Sequence, residues 1–346
     1  MRSPPTIAPR LPGVDVTLLA GLRADGSADP TVAKQVAHAW LRGGLVGLPT
    51  ETVYGLSADA QDAEAVGRIY AAKGRPADHP LIVHVQGPQA LPGWSLGSDV
   101  VAERLAAAFW PGALTLVVRR SPRASDLITG GQDTVALRCP DHRVALACLR
   151  ALAEESGDPA RGVAAPSANR FGRVSPTRAS DVLDELGDHL DPARDLVVDG
   201  GPCRIGVEST IVDCTAFPPR VLRLGAISQQ QVDEVLAGAG PEEASTGSAG
   251  VAASPASPVG DRAIAQAAVS PGTPTPVRAP GTLEVHYSPY ARVVLVERSG
   301  AGPQIAELAG AGEPPHRDAD DAHDPRRLLT LEGQQPAPIT DLVRGG

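Results

Sequence analysis

Residues 44–56 read Gly-Leu-Val-Gly-Leu-Pro-Thr-Glu-Thr-Val-Tyr-Gly-Leu, and one predicted helix later comes Lys73-Gly-Arg75-Pro76-Ala-Asp-His79-Pro80-Leu-Ile-Val-His84-Val. The first stretch is an apolar run opening into Thr50-Glu51-Thr52 and Tyr54. It reads as a buried strand that emerges into a polar turn, where side chains meet a ligand. Between the two stretches, Ala65, Val66, Ile69 and Tyr70 form a helical stripe over 62–72 that delivers Lys73 and Arg75 at the helix end. Two cations on a Gly/Pro turn point to a phosphate contact.

Working outward, 346 residues with 42% hydrophobic content hold one large domain plus a second element. No run of 18 uncharged apolar residues exists, and the Met-Arg-Ser-Pro-Pro-Thr start lacks a signal-peptide core, so a cytoplasmic protein is expected. Cys139, Cys148, Cys203 and Cys214 are widely spaced with no Cys-x-x-Cys pair, which reads as buried thiols and no zinc or other metal site. A net charge of −9 argues against broad, nonspecific nucleic-acid binding, leaving room only for a local RNA contact. Of 31 basic residues only Lys34 and Lys73 are lysines, and one of them sits in the Lys-Gly-Arg-Pro turn.

In chain order, 1–28 is rich in Pro, Gly and Asp and is expected to lie over the surface. Asp29-Pro30 starts a helix with Asp as N-cap, and Ala33, Val36, Ala37, Trp40 and Leu41 make its apolar face. Strands are predicted near 80–86, 113–118, 134–138, 163–166, 195–198, 208–212 and 221–224, with helices over 98–109 and 142–155. This alternation is α/β. Residues 238–280, with seven prolines, six glycines and no aromatic, read as a linker. Beyond it, 293–296 reads as a strand and 305–308 as a short helix.

A second constellation runs Arg161-Gly-Val-Ala-Ala-Pro-Ser167-Ala-Asn169-Arg170-Phe-Gly-Arg173-Val-Ser175-Pro176-Thr177-Arg178, with four arginines and no acid. Ser175 before Pro176 has the arrangement of a helix N-cap, which would aim free N–H groups at an anion. Neither a Walker loop nor a Gly-x-Gly-x-x-Gly fingerprint is present.

Nine motifs in order resemble the threonylcarbamoyl-AMP synthase family, the YrdC-like enzymes: the two opening stretches, Trp110-Pro-Gly-Ala-Leu-Thr115, Val135-Ala-Leu-Arg138, Ala165-Pro-Ser-Ala-Asn169, Ser175-Pro-Thr177, Gly206-Val-Glu-Ser-Thr210 and Arg223-Leu-Gly225 among them. The resemblance spans roughly 30–236 and implies a twisted mixed sheet flanked by helices around a large cationic cleft, in a catalytic domain over 15–237. It implies formation of threonylcarbamoyl-adenylate and pyrophosphate from L-threonine, bicarbonate and ATP with Mg2+, for a downstream machinery that modifies tRNA. Carried over position by position, Thr50, Thr52, His84, Arg138, Ser209 and Thr210 hold threonine. Lys73, Arg75, His79, Thr134, Ser167, Asn169, Ser175 and Arg223 hold the nucleotide, with Lys73 and Arg75 also catalytic. The family commonly has Asn where this chain has His79. Residues 281–290, with His286 and Tyr287, resemble the lid motif of the longer family form, and 291–346 a truncated α/β appendage. A non-catalytic module binding structured RNA is the alternative from a different class; it explains the basic patches but not a strand-end histidine beside a buried-looking arginine. The carbamoyl-transferring relatives of hydrogenase maturation are disfavoured, because the cysteine pairs of their zinc modules are missing.

Overall fold

A run of glycine-punctuated apolar strands, too short to bury themselves singly, is gathered into one ten-stranded sheet in the computed structural model, which describes residues 16–97, 99–238 and 277–280 and two further strands. In chain order the elements are β1 (Thr17–Ala20), α1 (Pro30–Leu41), β2 (Val46–Leu48), β3 (Gly55–Asp59), α2 (Ala63–Lys73), β4 (Ile82–His84), α3 (Leu91–Trp94), α4 (Val100–Phe109) and β5 (Leu114–Arg119). They continue with α5 (Asp126–Thr129), β6 (Thr134–Arg138), α6 (Arg143–Ser156), β7 (Val163–Ala164), α7 (Ala179–Leu186), β8 (Leu196–Asp199), β9 (Thr210–Asp213), β10 (Arg220–Arg223) and α8 (Gln229–Ala237). The sheet order is β1-β8-β2-β3-β7-β4-β6-β5-β9-β10, with β1/β8, β2/β8, β4/β6 and β5/β9 parallel and the rest antiparallel. It is a mixed sheet, as the family resemblance implied.

Helices cover the strands because their apolar stripes have nowhere else to go. On one side α1 and α6 pack together through Val36, Trp40, Leu149 and Leu152 over Val46, Leu48, Val163 and Val198. The Trp40 indole N–H donates to Ser57 Oγ at 3.1 Å, and that hydroxyl donates to Val46 O at 2.7 Å, so the polar atoms in this layer are paired. The larger cluster gathers Tyr54, Leu56, Ile69, Leu105, Leu116 and Leu137 with the faces of α2 and α4.

Three expectations are corrected. Residues 17–20 do not run over the surface: Leu19 is buried and β1 closes the sheet edge against β8, a four-residue strand hidden in a Pro/Gly-rich segment. Ser175 caps no helix. The helix begins at Ala179, its first-turn carboxylate Asp181 accepts from the amides of Thr177 and Arg178, and Ser175 Oγ instead donates to Glu208 Oε1 at 2.9 Å. The predicted helix over 98–109 starts at Val100, with Asp99 as the capping side chain that accepts from the Ala102 amide.

The predicted strand at 293–296 is part of Arg292–Glu297, which pairs antiparallel with Thr340–Gly345. This pair belongs to a compact unit separate from the ten-stranded sheet. The short helix predicted at 305–308, most of the linker and the lid motif 281–290 lie outside the described residues.

Candidate active site

The turn after β2 is fixed by its own hydroxyls. Thr50 Oγ1 donates to Val53 O at 2.6 Å, accepts from the Val53 amide, and lies 3.0 Å from Thr52 Oγ1. The Ile205 and Gly206 amides donate to the carbonyls of Glu51 and Thr52 at 2.8 and 3.0 Å, tying this turn to the 201–206 loop. All three side chains, Thr50, Glu51 and Thr52, are buried.

Strand register builds the neighbouring row. His84 lies opposite Arg138 across the parallel β4/β6 pair, and Arg138 lies opposite Thr115 across β6/β5. Because side chains alternate along strands, these three share one face of the sheet. Thr115 Oγ1 is 2.8 Å from Ser209 Oγ, which extends the row onto the β9 side. Arg138 Nη2 donates to Glu51 Oε1 at 2.6 Å in a buried ion pair, and Arg138 Nε donates to Gly112 O at 3.3 Å. Burial, aided by the Arg138 charge, pushes the His84 pKa down to about 3, so its imidazole is neutral at physiological pH. Thr210 stands apart from this row. Its hydroxyl donates to Ile227 O at 2.6 Å and accepts from Ile227 N at 3.1 Å, as expected for the strand neighbour of Ser209 facing the other way.

The cations form the other half of the site. Lys73 is the last residue of α2, followed by Gly74 in the left-handed conformation (φ 61°) that ends the helix. Far from being an exposed turn cation, Lys73 is buried, and its Nζ donates to Ser167 O at 2.5 Å and to Asn169 O. Loss of water, then the nearby Arg75 charge, lowers its pKa to about 7. Arg75 Nη2 donates to Pro80 O at 2.9 Å, its Nε is buried without a partner, and its guanidinium lies 5.9 Å from the centre of the Phe171 ring. The His79 ring meets the same phenyl edge-on at 5.3 Å.

Glu208 links the halves. Arg223 Nη1 donates to it, Ser175 donates to it, and its charge is felt by both Lys73 and Arg75. Arg223 also donates to Ser209 O at 3.0 Å and to Pro280 O at 2.9 Å. That second bond anchors 277–280 on the sheet face, where Ala279 packs among Ile82, Val117, Ala136 and Ile211. His286 and Tyr287, six and seven residues further on, lie outside the described residues. Thr134 begins the strand that Arg138 ends, four residues or ~13 Å away on the same face. Among the four arginines of 161–178, Arg161 is spent on Asp59 in a two-pronged pair and Arg170 meets His189.

Phe171 had no place among the site residues the sequence suggested, and Glu51, Thr115 and Glu208 stood in quoted motifs without a role of their own. The signals were present: an acid between two threonines in an apolar run, and a lone hydroxyl in the strand Leu-Thr-Leu-Val-Val.

The residues so assembled match a known pattern. A family profile described as Telomere recombination, covering the Sua5, YciO and YrdC proteins, matches residues 38–225. The chain belongs to this family. It is 40% identical over 264 residues to the threonylcarbamoyl-AMP synthase of Pyrococcus abyssi, covering 76% of this chain and 67% of that one. It is 45% identical over 209 residues to the Bacillus subtilis enzyme of the same name, covering 60% of this chain and 57% of the relative. Each match thus leaves a third or more of the relative's length uncovered. The crystal structure of P. abyssi Sua5 complexed with L-threonine superposes with a TM-score of 0.66 at 35% identity, covering 88% of this chain and 82% of that one. Escherichia coli YciO, 20% identical with a TM-score of 0.52, shares the fold. In this Sua5 family member the matched span contains every predicted threonine and nucleotide position.

Proposed function

We propose that this Sua5 family member is a threonylcarbamoyl-AMP synthase that joins L-threonine, bicarbonate and ATP into threonylcarbamoyl-adenylate, releasing pyrophosphate and water. The observation that carries this reading is the juxtaposition of two differently built halves. Arg138, His84, Thr115 and Ser209 offer a guanidinium, a neutral imidazole and hydroxyls in one row, which suits a small hydroxy amino acid. Lys73 and Arg75, both driven toward losing charge by burial, gain most from an arriving polyphosphate. The curated relatives' names and the threonine in the P. abyssi structure support the same assignment.

In this mechanism Arg138 and the hydroxyl row seat threonine, whose amine becomes a carbamate. A carbamate oxygen then attacks the α-phosphorus in line with the departing pyrophosphate. Lys73 and Arg75 hold the phosphates and neutralise the charge that grows on the leaving group. No group of three or more acidic, histidine or cysteine side chains among the described residues forms a cation cage. Magnesium would then be held chiefly by the triphosphate and would supply charge neutralisation, with Glu208 the acid whose charge acts on both phosphate-binding cations. The product would feed the machinery that places threonylcarbamoyl on tRNA, a cytoplasmic reaction; no helix among the described residues is long and apolar enough to cross a membrane.

Pairing of Arg138, Arg161 and Arg223 with Glu51, Asp59 and Glu208 takes three motif arginines away from any RNA backbone, which weighs against the binding-module reading. The test is mass spectrometry of the product made with 13C-bicarbonate. A threonylcarbamoyl-adenylate carrying the label supports the proposal, and ATP consumption without labelled adenylate contradicts it.

A further inference from the structure

Glu51 holds a carboxylate that its structural role does not use up. One oxygen, Oε1, accepts from Arg138 Nη2 at 2.6 Å; the other, Oε2, is buried with no partner, and the residue is 2% exposed. An unpaired oxygen of a charged group at such depth is costly, so its retention calls for an occupant that donates to it. Around it, Thr50 already donates to Val53 O, Thr115 and Ser209 are paired with each other, and Arg138 is the fixed partner. His84 Nδ1, on the strand beside Arg138, is likewise buried and unpartnered. The cluster therefore keeps two unspent polar atoms beside the arginine, and one of them carries negative charge.

The chemistry of the ligand matches this arrangement. An amino acid at neutral pH is a zwitterion, so a site that takes its carboxylate on Arg138 must also neutralise an ammonium a few ångströms away. Arg138 and Glu51 cancel one another before the ligand arrives, and a zwitterion laid across them adds no net charge to the buried site. Carbamate formation then reverses the sign at nitrogen: a cation becomes part of an anion. A carboxylate that had merely bound the ammonium would be left facing that anion, whereas one that had taken the ammonium's proton would be neutral.

We propose that Glu51 is a catalytic residue, whose Oε2 receives the threonine ammonium and accepts one of its protons; this rests on the synthase reading above. The N–H bond breaks with its electron pair remaining on nitrogen and its proton moving to Oε2. The free amine then forms the N–C bond to bicarbonate. One C–O bond of the bicarbonate breaks, and that hydroxyl leaves as water with a second proton from the amine.

The test uses the full chain and two probes, L-threonine and 2,3-dihydroxybutanoate, which has a hydroxyl in place of the ammonium. The unmodified protein is expected to bind threonine at least about tenfold more tightly. In Glu51→Gln, which keeps an acceptor for Arg138, that preference is expected to shrink to within about threefold and pyrophosphate release to fall at least about tenfold, while Glu51→Asp restores part of both. A glutamine variant that keeps the full preference for threonine overturns the proposal. So does an unmodified protein with no preference, a result that holds even where the variant fails to fold. If the unmodified chain prefers threonine yet releases no pyrophosphate with it, the synthase reading fails and the proton step with it; an active chain whose glutamine variant is equally active leaves the synthase reading standing and removes Glu51 from the chemistry.

Discussion

The two halves of the site handle charge in opposite ways. Around Arg138 the charges are matched inside the protein, guanidinium to Glu51, and the strand register fixes His84 and Thr115 beside them. On the other side, buried Lys73 and half-buried Arg75 are paired with no carboxylate among the described residues and are held by carbonyls of Ser167, Asn169 and Pro80. The first arrangement makes the site part of the fold's stability. The second stores a destabilised charge that only an anionic ligand relieves. Substitutions in the two halves should therefore divide cleanly between stability and turnover.

The largest effect is expected from Arg138→Ala. Removing one member of a buried pair leaves Glu51 charged and alone, which typically costs about 3–5 kcal/mol, and chemical denaturation should show it. In whatever protein remains folded, the threonine requirement should rise far more than the ATP requirement; an equal rise in both would place Arg138 outside the amino-acid site.

Next come Lys73→Met and Arg75→Ala. Each should lower turnover by well over tenfold, since a contact that strengthens as pyrophosphate leaves is worth more than ~1.4 kcal/mol of barrier. Stability of Lys73→Met, in contrast to Arg138→Ala, should be unchanged or higher. A loss of stability comparable with that of Arg138→Ala would erase the distinction between the halves.

A subtler effect concerns protons. With its pKa lowered to about 7 in the free protein, Lys73 is largely neutral at pH 8, and a bound triphosphate should restore its charge. Nucleotide binding at pH 8 is then accompanied by uptake of roughly one proton, and by almost none at pH 6. Calorimetry in buffers of different ionisation enthalpy measures this, and Lys73→Met should abolish it. The linkage also fixes a stability trend. The unfolded chain binds more protons at this lysine between about pH 7 and its ordinary value of 10.5, so its contribution to stability rises with pH across that window. His84 behaves similarly lower down: with a folded pKa of about 3, it costs stability as pH falls below its ordinary 6.5.

Much of this division was legible in the sequence, and its limits have physical causes. His84 and Arg138 end short apolar strands, and the family resemblance put both on threonine; their shared face comes from the β4/β6 register, which strand patterns do not reveal. Lys73 and Arg75 were found because a helical stripe stops at a glycine. Burial of Lys73 was not legible, since it depends on carbonyls 94 and 96 residues away. The Ser175 cap failed for a similar reason: a hydroxyl that could have closed a helix locally is drawn to Glu208, 33 residues on. Glu51 reads as one polar residue in a turn, and its pairing with Arg138, 87 residues further on, arises only when the chain folds. Strand β1 is too short and too poorly patterned to stand out without its partner β8.

If the two halves serve one reaction, pyrophosphate release from ATP by the full chain, with threonine and bicarbonate supplied separately and together, must depend on both. Release is expected only when both are present, falling to background when either is withheld. Release that is indifferent to threonine, or no release with all three substrates, would contradict a shared reaction.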